Sequence, residues 1–174
     1  MKRLLALVAL AILFSGCATA PYSFNVQNLD MAKKKIDAQV VWLSVDKTTP
    51  GEAKGDLDLL NDYVLSAWTR SILVGLNKTL TFRDESPKKV SIVVTVLKFH
   101  VPHAALSYKT IIIAKYEIID RGKNEVIFSS VIDSEGTTPL DHSFMPEKRQ
   151  RESINLAVRE NISKFFKALE KLSI

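Results

Sequence analysis

Hydrophobic positions along the chain change period several times, and each change marks an element. Gln39-Val40-Val41-Trp42-Leu43-Ser44-Val45 is rich in β-branched and aromatic residues and reads as a strand, which Thr48-Thr49-Pro50-Gly51 ends. Asp56 then predicts an N-cap, because apolar Leu57, Leu60, Val64, Ala67 and Trp68 follow at helical spacing opposite a polar stripe of Asp58, Asp62, Ser66, Thr69 and Arg70. This helix is expected to reach Leu76 or Asn77, with Gly75 admitting close approach near its end. Val90 to Val101 is apolar at both parities, as in a central strand covered on much of both faces. After Pro102, Tyr108 to Ile119 alternates, with Ile112, Ala114, Tyr116 and Ile118 on one side and Lys109, Lys115 and Glu117 on the other. Asp120-Arg121-Gly122-Lys123-Asn124 reads as a hairpin loop in which Gly122 supplies a positive φ, and Val126 to Ile132 as the last strand. Asp133 to Met145 reads as a polar loop containing Gly136, Pro139, Asp141 and His142. Pro146 opens a helix to about Leu172, with Ile154, Val158, Ile162, Phe165, Leu169 and Leu172 in steps of three and four. The order β-α-β-β-β-α predicts an α+β two-layer sandwich, a mainly antiparallel sheet with two long helices on one face.

The longest apolar run belongs to none of these elements. Leu4 to Phe14 follows Lys2 and Arg3 and precedes the small residues Ser15 and Gly16, the three parts of an export signal. Its eleven residues are too few to span a bilayer, which takes about 20. Leu13-Phe14-Ser15-Gly16-Cys17 resembles the lipobox of bacterial lipoproteins, with Phe14 where Leu is more usual. The resemblance implies cleavage between Gly16 and Cys17, a diacylglyceryl group on the Cys17 thiol and an acyl chain on the new amine. A thiol suits this chemistry because its thiolate is a strong nucleophile. Ala18 in place of Asp after the Cys implies export to the outer membrane, with the domain facing the periplasm; in a cell with one membrane the same anchor leaves it on the outer surface. The chain divides accordingly into a signal over 1–16, the lipidated Cys and a polar tether over 17–35, and a single domain over 36–174. Within the tether, Tyr22 to Val26 could form an edge strand, and Lys33, Lys34 and Lys35 are solvated charges or contacts for anionic headgroups.

Composition changes meaning once that signal is set apart. The chain has 174 residues, 47% of them hydrophobic and 25% charged, in the range of globular domains and unlike disordered or multi-span chains. Removal of residues 1–16 lowers the formal charge from +5 to +3, which calls for no nucleic-acid partner. Cys17 is the single cysteine, so with its sulfur lipidated none is left for a disulfide, redox work or a metal. His100-Val101-Pro102-His103 is the one close histidine pair, but a zinc site needs further ligands, and His142 is distant; these read as loop histidines, with no metal expected. No nucleophile elbow or phosphate-cradling glycine motif occurs, and the carboxylate pairs Asp56 with Asp58 and Asp84 with Glu85 read as caps and loops. No catalytic residue, and no cofactor beyond the lipid on Cys17, is expected.

Leu140, Phe144 and Met145 beside Lys148, Arg149 and Arg151 form a candidate interaction patch, apolar next to basic. The alternative is that Leu140 and Phe144 fold under and cover one end of the core. The lipobox, the strand ending near Phe99, the hairpin from Tyr116 through Gly122 to Ser129 and the Ala- and Ile-containing last helix together resemble small periplasm-facing lipoproteins of the YajG type and the PqiC-like auxiliary lipoproteins of lipid-transporting ABC systems. The resemblance covers the last half of the chain. The lipobox and a compact domain without catalytic motifs lead to the expectation of a non-enzymatic, lipid-anchored accessory or protein-binding module with an envelope protein as partner; the transport-auxiliary resemblance implies the alternative, a carrier holding lipid or another apolar ligand between helices and sheet.

Overall fold

A computed structural model describes residues 22–172. Its sheet contains β1 (Gln39–Lys47), β2 (Lys54–Gly55), β3 (Lys89–His100), β4 (Tyr108–Asp120) and β5 (Glu125–Thr138), and its long helices are α1 (Asp62–Thr79) and α2 (Pro146–Leu169). The strand order is β1-β3-β4-β5, with β2 also on β3. β1 and β2 run parallel to β3, and the β3-β4-β5 ladder is antiparallel. Apart from the two-residue β2, this is the expected β-α-β-β-β-α order in an α+β architecture. Val90, Ile92, Val94 and Val96 of β3 and Ile112, Ala114, Tyr116 and Ile118 of β4 share one core with Val64, Trp68 and Ile72 of α1 and Ile154, Val158, Ile162 and Phe165 of α2. Period two in the strands and period 3.6 in the helices thus turn toward the same layer.

Several boundaries differ from the sequence expectation, each for a physical reason. Leu57–Leu59 is a separate 3-10 turn, and Asn61 rather than Asp56 caps α1, its side chain accepting from the Val64 N–H at 3.1 Å. Asp56 is engaged elsewhere. β3 is buried on the helix side, whereas Val93 and Leu97 on its other face are half-buried, because no second layer covers that face among the described residues. Positive φ in the β4–β5 turn falls on Asn124, not Gly122. α2 ends at Leu169 rather than Leu172.

β5 continues six residues beyond Ile132, so Asp133 to Thr138 is strand rather than loop. Its inward residues there are Ser134, Gly136 and Thr138, all buried. They are small because α2 presses against them. A Cβ at Gly136 would lie 2.2 Å from the Ser153 carbonyl oxygen and 2.4 Å from the Ala157 nitrogen. Gly75 plays the expected part between the helices, where a Cβ would meet the Phe166 ring at 2.6 Å.

Tyr22 to Lys35, expected as part of a polar tether with a candidate edge strand over Tyr22 to Val26, is instead a strap across the two helices. Tyr22 to Val26 joins no ladder, and Phe24 is buried in the core. Ser23 donates its N–H to Asn155 Oδ1 at 3.2 Å, Lys78 Nζ donates to the Gln27 carbonyl at 2.6 Å, and Ala32 N–H donates to the Thr79 carbonyl at 2.8 Å. Asn155 lies in the first half of α2 and Thr79 at the end of α1. The strap therefore runs from the end of the sheet where β3 and β5 finish to the end where they begin, and the isolated bridge Ile36–Phe82 leads it into β1.

Candidate functional site

The candidate patch sits where β5 passes into α2. Tyr108 is paired with Thr138, so the Val101–Ser107 connection leaves the sheet beside Pro139–Met145. Both connections are held from below by Arg149, which is only 4% exposed. Its Nη1 donates to the Ser143 carbonyl at 2.5 Å, its Nη2 approaches the Ala105 carbonyl at 3.5 Å, and its guanidinium lies over the Tyr108 ring, 5.5 Å from the centroid. Gln150 adds a bond from Nε2 to the Pro102 carbonyl at 3.2 Å. Arg149 is thus a buried brace rather than a member of the basic surface. Helical spacing accounts for it, since Arg149, Ser153 and Ala157 stack four apart on the inward face.

Above this brace the apolar side chains point out. Phe144 is 99% exposed, and Leu140 and Met145 are about half so, with Leu106 of the facing connection at 76%. Leu140 and Phe144 therefore do not fold under the core. Leu106 went unnoticed in the sequence because it stands apart in a short loop, and only the β4–β5 pairing brings it alongside. Lys148 is exposed at the rim, while Arg151 is half-buried with its guanidinium 5.2 Å from the centroid of the Tyr22 ring.

His100 and His103 also meet at this end of the sheet, on a partner that spacing did not suggest. Asp56 Oδ2 accepts the Val101 N–H at 2.9 Å and lies 3.3 Å from His100 Nδ1, while His103 Nε2 is 3.7 Å from Asp56 Oδ1. The carboxylate thereby ties the β2–α1 connection to the end of β3. Gly55 fits beneath it at φ 81°, where a Cβ would lie 2.4 Å from the Phe99 oxygen. Among the described residues no group of three His, Cys, Asp or Glu side chains is placed to hold a metal ion.

The space between helices and sheet is filled by side chains. The Tyr116 and Phe165 rings stack at 4.3 Å, and the Tyr116 hydroxyl donates to Asn161 Oδ1 at 2.7 Å. Asn161 Nδ2 donates in turn to the Ile132 carbonyl and to Ser134 Oγ. Burial pushes the Tyr116 phenol well above its ordinary pKa, so it is a neutral donor. An open cleft of about 460 Å³ lies outside this layer, between the strap and α2, lined by Leu29, Lys33, Lys34, Phe166, Lys167 and Lys171.

The predicted cleavage and lipidation positions, Gly16 and Cys17, lie outside the described residues. No described helix is long and apolar enough to cross a membrane. By sequence the chain matches no family model and no curated protein. Its fold is nonetheless found among solved structures. Protein XCC0632 from Xanthomonas campestris, of family DUF330, is 8% identical with a TM-score of 0.61, over 85% of this chain and 93% of that one. Protein CT253 from Chlamydia trachomatis is 10% identical with a TM-score of 0.50, over 76% and 96%. A minor lipoprotein from Acinetobacter baumannii is 11% identical with a TM-score of 0.40, over 79% and 93%. At these identities the first two likenesses show the fold alone, and the third, at a TM-score of 0.40, does not show it.

Proposed function

We propose that this chain is a lipid-anchored envelope protein that works by binding rather than catalysis, held at the outer membrane through Cys17 with its domain in the periplasm. The observation that carries this reading is the sequence Leu13-Phe14-Ser15-Gly16-Cys17 after a charged and apolar leader. Several acyl chains on one residue, at about 0.8 kcal/mol per buried CH₂, make a lasting anchor. The fold supports a binding role, since its exposed apolar loops stand on a braced base and offer a contact surface to a partner or to the membrane itself. An accessory or protein-binding module is favoured over a carrier, because aromatic and aliphatic side chains fill the layer in which a carried lipid would sit.

Metabolic labelling with a palmitate analogue tests the anchor. The wild-type chain is expected to take the label and fractionate with membranes, and Cys17→Ala to lose both properties. A Cys17→Ala chain that remains labelled and membrane-bound overturns the reading.

A further inference from the structure

Single exposed apolar residues are ordinary on any protein. Here Leu59, Leu106, Leu140, Phe144 and Met145 stand on three separate connections at one end of the sheet. Phe144 is almost wholly in solvent, yet Arg149 fixes the backbone beside it at Ser143, and Gln150 fixes the facing connection at Pro102, so its exposure belongs to an ordered loop. Apolar side chains raised on a braced rim match the interfacial layer of a bilayer, where apolar groups enter and the polar base remains wet.

The position of the N-terminal segment names the surface they would meet. Tyr22 lies against Arg151, five residues into α2 and so about 7–8 Å from the helix start, and its ring is 6.1 Å from that of Tyr63 at the start of α1. The chain therefore joins the domain at the end that carries Phe144. Cys17 precedes Tyr22 by five residues, which reach at most about 18 Å when fully extended. A lipid at Cys17 keeps this rim within a short distance of the headgroups and makes any second contact intramolecular, so a weak affinity suffices.

We infer that Phe144, Leu106, Leu140 and Met145 form a second membrane contact, inserting shallowly into the same leaflet as the Cys17 lipid and standing the domain upright on it. This rests on the anchor reading above. Asp141 and Glu147 share the rim with Lys148 and Arg151, so the contact is apolar rather than electrostatic and needs no anionic lipid.

Cys17 is the only cysteine, so a second one can be spin-labelled selectively in the lipidated full chain. Phe144→Cys and Leu106→Cys, the latter retaining the Phe144 ring, are compared with Val126→Cys at the opposite end of the sheet. Each protein is reconstituted into phosphatidylcholine vesicles with and without phosphatidylglycerol. The expected result is a several-fold higher ratio of oxygen to nickel-chelate collision at positions 144 and 106 than at 126, alike in both vesicles. Vesicle-bound protein whose labels at 144 and 106 are as open to the chelate as that at 126 overturns the insertion and leaves the anchor standing. Spin–spin broadening at 144 without oxygen access assigns the face to a second copy and also overturns it. Protein that does not float with vesicles overturns the anchor reading, and this inference with it.

Discussion

The two ends of the sheet are finished in opposite ways. At the β4–β5 turn the chain closes on polar groups: Asp120 Oδ1 accepts the Gly122 N–H at 2.9 Å and the Lys123 N–H at 3.2 Å, and its other oxygen faces Lys88 Nζ at 3.7 Å. At the loop end a buried arginine holds the backbone, and the apolar side chains are turned away from it. Both ends are ordered by hydrogen bonds, so the greater apolar exposure at the loop end, where Phe144 is 99% exposed against 54% for Val126 near the turn, does not come from missing structure. At the loop end the contacts of Arg149 and Gln150 from beneath are joined by two within the β5–α2 loop, His142 N–H to the Pro139 carbonyl at 3.3 Å and Met145 N–H to Ser143 Oγ at 3.2 Å, and none of them draws the Phe144 ring inward.

Substitutions can break either side of this contrast. The largest effect is expected at Gly136, where α2 approaches β5 just below the loop end. Gly136→Val forces side-chain atoms against the Ser153 and Ala157 backbone and should cost about 3 kcal/mol, read as a lowered thermal midpoint. Arg149→Ala removes the brace and its packing on Tyr108, for a loss of about 2 kcal/mol. Hydrogen exchange should then quicken in residues 102–107 and 139–145 while the β4–β5 turn stays protected.

Asp120 sharpens the other side. The Lys123 N–H first, then the Gly122 N–H and the charges of Lys88 and Lys123, hold its carboxyl below the usual range against the opposing effect of desolvation. A depressed folded pKa stabilises the native state above the unfolded value near 4, and that contribution is lost as pH falls through the lower folded value. Urea midpoints of the wild type should therefore drop more steeply below about pH 4 than those of Asp120→Asn. The smallest effect is expected at the loop tip. Phe144→Ser should change stability by no more than about 0.5 kcal/mol, because the ring is solvated, and a larger loss in the same denaturation assay would mean that the loop depends on it.

How far the sequence disclosed this arrangement follows from what hydrophobic periodicity can carry. The inward faces of β3, β4 and α2 were legible because large apolar residues recur there at the period of the element. The last part of β5 was not, because the close approach of α2 selects Ser134, Gly136 and Thr138, and a strand of small inward residues reads as a loop. Arg149 misled for a related reason. Its charge suggested the surface, while its position, four residues before Ser153, assigns it to the buried face. The apolar loop residues Leu140, Phe144 and Met145 stood out as a run, yet neither Leu106 nor the meeting of Asp56 with His100 and His103 could be read. The first depends on the β4–β5 pairing, and the second on a hydrogen bond from the Val101 N–H to the Asp56 carboxylate that reaches across 45 residues.

The strap from Tyr22 to Lys35 also has a mechanical consequence. A tension drawn out beyond the loop end runs along the strap, not across it. The bonds of Ser23 to Asn155, Gln27 to Lys78 and Ala32 to Thr79 are then loaded together, as in a lap joint under shear, whereas a sideways pull would open them one after another. Phe24 acts as a rivet in that joint, seated in the core between the point of pull and the first strand. Force arriving from the N-terminal side is therefore spread over both helices before it reaches β1.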